Sequence, residues 1–182
     1  KNNISFDTYL FISPKQFTIY VSSISDFKKI YEQKMFLELD SKQINFFKLE
    51  NFLNENIFKI EKVLKNFIKK IIVIIDFDVF FPIQISVKKK NHGDLINLKS
   101  LSPLLNEAKD CCKKTIGEKK IIHMIIDSYQ INDKHSSDLP KNLKCNNFSL
   151  DVSFICLSNT LNKNLEEILK KYQISLGKII DA

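Results

Sequence analysis

Apolar residues recur with two periods along this chain, and the switches between them predict its elements. Tyr9-Leu10-Phe11-Ile12 and Phe17-Thr18-Ile19-Tyr20-Val21 are β-branched and aromatic runs. Pro14 stands between them as a turn former, so residues 5–40 read as extended. Phe27 to Leu39 alternates well enough for a third strand. The period then lengthens. Ile44, Phe47, Phe52, Ile57, Ile60, Val63, Leu64, Phe67 and Ile68 recur at mostly three- and four-residue steps, which predicts an amphipathic helix over 44–69. Ile71-Ile72-Val73-Ile74-Ile75 follows as a continuous apolar run, the pattern of a buried central strand.

The second half repeats these signals. A further strand is expected over Gln84 to Lys88, then a charged, mobile loop over Lys88 to Asp94. Residues 101–114 read as a helix, with Ser102 as its N-cap, Pro103 at its first position and Gly117 just past its end. Ile121 to Ile131 and Phe148 to Leu157 are strands, and the polar stretch Asp133 to Asn147 between them is a loop. Leu161, Leu165, Ile168, Leu169 and Tyr172 share one helix face, read as core packing, and Lys178 to Ala182 closes the chain as a short strand. Strands and helices interleave without strict alternation. That order predicts an α/β chain with a mixed sheet, helices packed on it, and two subdomains.

Composition narrows the function. At 182 residues, 44% hydrophobic and 27% charged, the chain can bury a core without disulfides or metals. No apolar run reaches the ~18 residues of a membrane-spanning helix, and the start lacks a signal-peptide core, so a cytoplasmic location is expected. The formal charge is +7, yet all 28 basic residues are Lys. Phosphate and base edges are read by Arg forks that Lys does not imitate, so sequence-specific nucleic-acid binding is not expected. The wealth of Phe, Ile, Asn and Lys fits an AT-rich coding sequence, which accounts for part of the charge. Cys111, Cys112, Cys145 and Cys156 form no C-x-x-C pair and read as reduced thiols, not a zinc set. His92 and His135 lie in polar loops and His123 within a strand, so no nucleophile–base–acid set is legible.

Residues 119–182 carry a resemblance. Ile121 to Asp133, with His123, Tyr129 and its polar end, is similar to a segment of the FtsA-type, actin-like cell-division proteins, although Ile126 stands where that family has Pro. Pro140 to Cys145 resembles the family's Pro-x-Gly-Met-x-Gly loop with both glycines replaced. Leu150 to Ile155 resembles its next strand; Leu165 to Tyr172, Ile174, Gly177 and Ile179 to Ala182 resemble its helix, turn and strand. The resemblance implies a truncated actin-like (ribonuclease H-like) core at 1–75, an FtsA-type inserted subdomain of the SHS2 kind at 76–157, and a return helix and strand at 158–182. The family's second half has no counterpart before Ala182, so a fragment of a longer protein is a further expectation.

The same resemblance locates a lost nucleotide site. The family's first phosphate loop begins with an acid, then Ile-Gly-Thr/Ser. Here that stretch is Phe11-Ile12-Ser13-Pro14-Lys15, without the acid, without the Gly, and with a Pro that has no N–H for phosphate. No ATP binding, no cofactor and no catalysis are expected. The implied function is protein interaction within the division machinery, with self-association and recruitment to the inner face of the membrane through partners. Candidate partner-binding residues are Lys88, Lys89, Lys90, Pro140 and Leu143. Two other readings stand. One is an adaptor like the PilM proteins of type IV pilus machines. The other is a Mg-dependent phosphatase similar to haloacid dehalogenases, with Asp76 as nucleophile and Asp78 as acid/base.

Overall fold

The computed structural model describes residues 5–38, 42–132, 134–139 and 143–182, less the side chains at 98 and 100. The order is β1 (Phe6–Ile12), β2 (Gln16–Ser23), β3 (Lys29–Phe36), α1 (Phe46–Leu64), β4 (Lys70–Ile75), β5 (Phe80–Lys90), α2 (Leu98–Ile116), β6 (Lys119–Ile131), β7 (Lys134–Ser136), β8 (Asn147–Ser158), α3 (Asn159–Lys170) and β9 (Ser175–Asp181). Two compact units result: Lys1–Val79 with Thr160–Ala182, and Phe80–Asn159.

The first unit holds a sheet in the order β3-β2-β1-β4-β9. Short turns make β1, β2 and β3 antiparallel, whereas β4 runs parallel to β1 and β9 parallel to β4. This is the order and polarity of the ribonuclease H-like core shared by actin-like proteins. Alternation sorts the two faces. Leu10, Ile12, Phe17, Ile19, Val21, Ile71, Val73 and Ile75 are wholly buried on one of them. α1 supplies Leu49, Phe52, Leu53, Ile57 and Ile60 to that core, with the Phe52 ring 6.3 Å from that of Phe17. Buried Asn56 joins the helix to the sheet edge: it accepts from the Tyr31 hydroxyl at 2.7 Å and donates to the Phe52 carbonyl at 2.7 Å.

Asn45 caps α1, accepting from the Lys48 N–H at 3.0 Å. The helix stops at Leu64, short of the expected 69, because Lys65 turns left-handed at φ 50°. The Glu61 carboxylate then accepts the Ile68 N–H at 3.1 Å and turns the chain into β4. The third strand is likewise shorter than expected: Phe27 sits in the preceding turn at φ 54°, and Leu39 lies outside the described residues.

The second unit is an antiparallel sheet, β5-β8-β6-β7, with α2 against one face. Its core joins Val87 of β5, Leu104, Ala108 and Cys112 of α2, and Phe148, Leu150, Val152, Phe154 and Cys156 of β8. Three expectations are corrected here. Lys88, Lys89 and Lys90 are not a loop; they continue β5 and pair with Ser149, Phe148 and Asn147. α2 begins at Leu98, so Ser102 is not its cap and Pro103 lies inside it, giving up the N–H that would reach Lys99. The expected loop after Asp133 contains a three-residue strand, β7, paired with Tyr129–Ile131.

Candidate functional site

In open sheets with parallel strands, ligands sit beyond the carboxyl ends of those strands. Here that edge is formed by β1, β4 and β9, where Ile12 lies beside Ile75 and Ile75 beside Asp181. The Asp76 N–H donates to the Ile12 carbonyl at 2.9 Å and the Ala182 N–H to the Ile75 carbonyl at 3.1 Å. Ser13, Pro14, Lys15, Asp76 and Asp181 thus converge on one sheet end.

The β1–β2 turn is closed on itself. The Ser13 N–H donates to the Gln16 carbonyl at 3.0 Å. The Ser13 hydroxyl donates to the same carbonyl at 3.0 Å and accepts the Gln16 N–H at 3.1 Å. Pro14 has no N–H, and the Lys15 carbonyl accepts from Leu37 at 2.8 Å. A phosphate cradle needs several backbone N–H groups aimed outward; here Ser13 and Gln16 spend theirs within the turn and Pro14 has none. Lys15 is exposed. Phe11 points to the opposite sheet face from the core. There it lines a hollow of about 440 Å³ with Tyr9, Thr18, Tyr20, Ser22, Phe27 and Ile74. Burial, and then the charge of Asp7, push the Tyr9 hydroxyl above its ordinary value.

Asp76 and Asp78 flank buried Phe77 and are both exposed. Among the described residues, no group of three or more His, Cys, Asp or Glu is placed to hold a metal ion. Cys112, Cys145 and Cys156 are buried and Cys111 exposed, all as free thiols. Burial pushes the Cys112 thiol up to about 11, which leaves it a neutral core group at neutral pH.

Of the candidate partner residues, Lys88, Lys89 and Lys90 are exposed at the end of β5. The chain beyond them zips against the segment that holds Leu143. Asn91 donates to Asn146 at 2.7 Å, Gly93 to Cys145 at 2.9 Å and Ile96 to Leu143 at 3.0 Å. Leu143 remains exposed, as does Leu95. The two stretches therefore meet at one end of the second unit; Pro140 lies outside the described residues.

Sequence reasoning missed a polar row on the sheet face opposite α2. Asp151 accepts from the Ser86 hydroxyl at 2.5 Å and the Ser128 hydroxyl at 2.6 Å. Its signal was present: Ser149, Asp151 and Ser153 alternate with the apolar positions of β8. The Ser128 bond first, then that of Ser86, holds the Asp151 carboxyl below its ordinary range. A depressed carboxyl contributes stability above its unfolded pKa of ~3.9, and that contribution fades as pH falls through the folded value. Ser128→Ala is therefore expected to lower stability at neutral pH. In urea melts at a series of pH values, its deficit should shrink as pH falls below about 4; a deficit independent of pH would contradict the assignment.

No protein-family model matches the chain, and no curated protein does. Solved structures do. A chain of the PilM–PilN type IV pilus biogenesis complex superposes with a TM-score of 0.56 at 9% identity, over 97% of this chain and 47% of that one. The cytoplasmic domain of EpsL, an inner-membrane component of the type II secretion system of Vibrio cholerae, gives 0.44 at 9% identity, over 97% and 57%. A Bacteroides thetaiotaomicron protein with an actin-like ATPase fold gives 0.38 at 13% identity, over 96% and 52%. The chain spans about half the length of these solved chains. At such identities the likeness speaks to fold alone.

Proposed function

We propose that this chain is a non-catalytic protein-interaction module, an actin-like adaptor that works by its surface within a multiprotein machine at the membrane. The closed β1–β2 turn carries this reading: Ser13 and Gln16 satisfy each other and Pro14 has no N–H, so where an actin-like ATPase grips phosphate with several backbone donors the turn is left with the Lys15 N–H at most. The likeness to a component of the PilM–PilN complex supports an adaptor of the pilus-assembly kind. The second reading, an FtsA-like cell-division adaptor, is favoured by the sequence resemblance over 119–182. In both, Phe80–Asn159 is the inserted subdomain. Lys88–Lys90 and Leu143 form its candidate partner surface. Recruitment to the inner face of the membrane would run through that partner; no helix among the described residues is long and apolar enough to cross.

Affinity purification of the tagged chain from its own cells, after brief crosslinking, tests this. The expected catch is an inner-membrane component of a pilus or division machine, lost when Lys88, Lys89 and Lys90 are all changed to Glu. Recovery of neither class would overturn the adaptor reading. The phosphatase reading predicts Mg-dependent aryl-phosphate turnover abolished by Asp76→Asn; the adaptor reading predicts no turnover.

A further inference from the structure

Exposed strand edges invite pairing, and proteins guard them with Pro, charge, brevity or bulges; the two bulges of β6 flank His123–Ile126 and leave that stretch regular. The outer edge of β5 carries Pro82 and the run Lys88-Lys89-Lys90. The outer edge of β6 is different. β7 covers it only at Tyr129–Ile131, which leaves Lys119 to Ser128 with no strand on that side among the described residues. Within it, Ile121-Ile122-His123-Met124-Ile125-Ile126 has no Pro, no Gly and no Asp, Glu, Lys or Arg. Met124 and Ile125 are 43% and 50% exposed, on opposite faces of the strand. Such a segment is a pairing template.

The segment is also complementary to itself. β6 shifts register against β8 twice, between Ile121 and His123 and between Ile126 and Ser128. Counting those shifts, the face toward α2 presents Ile121, Met124 and Ile126, and the other face presents Lys120, His123, Ile125 and Ser128. A two-fold axis through Met124, normal to the sheet, then brings like face to like face. Met124 meets Met124, Ile121 meets Ile126, and His123 meets Ile125. At each end, Lys120 comes across from Ser128, next to the bulge residue Asp127, which is opposite in charge. Apolar pairs and opposed charges directly across an antiparallel ladder each stabilise it.

We propose that the outer edge of β6 pairs antiparallel with the same edge of a second copy of this chain, centred on Met124, to make one continuous sheet across the dimer. The interface is isologous, as a two-fold requires. It is small, below about 1,200 Å², so the association belongs to the weak class that depends on concentration.

Sedimentation of the full chain over a range of concentrations is the test. The mass should rise from monomer toward twice that value, and Met124→Lys should weaken dimerisation about fivefold or more, since it removes one apolar cross-strand pair and sets two like charges directly opposite each other on the axis. A matched far-UV spectrum and melting temperature certify that this variant is folded. Independently, Met124→Cys in a Cys111→Ser background should oxidise to a disulfide-linked dimer, whereas Leu143→Cys in the same background should not. A chain that stays monomeric throughout would overturn the proposal. So would a dimer that survives Met124→Lys, or a Met124→Cys variant whose two copies never link.

Discussion

Phe154→Ala should lower the unfolding free energy by about 3–5 kcal/mol, the range for truncating a wholly buried aromatic. Phe154 lies on β8, the strand between β5 and β6, and none of its surface meets solvent. Its ring faces the core that α2 closes, among Val152, Cys156, Leu104 and Ala108. β8 is paired along its length on both sides, with Ile83 of β5 and Met124 of β6 directly opposite Phe154. Strands locked in register on both sides cannot close up over the lost ring, so a cavity penalty adds to the lost transfer energy. Phe58, 73% exposed on α1, is the contrast: Phe58→Ala should stay within about 0.5 kcal/mol of the parent. Urea melts followed by far-UV circular dichroism measure both. A loss under about 1 kcal/mol at Phe154 would mean that the second unit is not packed as described.

Gly177→Ala should cost about 1–3 kcal/mol by overpacking. A Cβ built there stands 2.8 Å from the Ile71 carbonyl oxygen and 3.0 Å from the Lys70 Cε. The lysine chain can swing away. The carbonyl cannot, because Ile71 is fixed in β4 between β1 and β9, where the β4–β9 register shifts between Ile71 and Val73. The glycine is needed for closeness of backbones, so a larger side chain should be worse: Gly177→Val should melt below Gly177→Ala. Gly117 separates this from backbone freedom. It has φ 57°, and a Cβ added to it would meet no atom within 4 Å, so Gly117→Asn, a residue that visits the left-handed region, should be tolerated better than Gly177→Ala. Equal melting temperatures for wild type and Gly177→Ala would contradict the contact.

Much of this architecture was legible because hydrophobic period and burial coincide. Ile71–Ile75 reads as a buried strand and is β4; much of the 3.6-residue stripe of 44–69 becomes α1, though Phe47, Val63 and Phe67 of that stripe stay exposed; Phe148–Leu157 becomes the central strand β8. Where local signals and tertiary pairing disagree, pairing wins. Three lysines in a row look like a loop, but β8 offers partners out to Asn147 and the lysine side chains reach solvent from an edge, so β5 runs to Lys90. Ser102-Pro103 looks like a helix start, yet α2 begins earlier, at Leu98. Phe11 and Pro14 were visible in sequence as departures from a phosphate loop. The reciprocal Ser13–Gln16 bonds were not, since they depend on the hairpin's register. The Asp151 row depends on three strands at once and has only a two-residue alternation to announce it.

The claim that this fold has no grip on a nucleotide is tested most directly by thermal unfolding with and without Mg-ATP. A site probed at about a hundredfold excess over its Kd adds ~2.7 kcal/mol to stability, which for a chain of this length is a rise of roughly 5–10 °C. The closed turn at Ser13–Gln16 predicts a melting temperature that stays where it is, with no saturable heat in titration calorimetry. A Mg-dependent, saturable rise of several degrees, abolished by Lys15→Ala, would contradict the account.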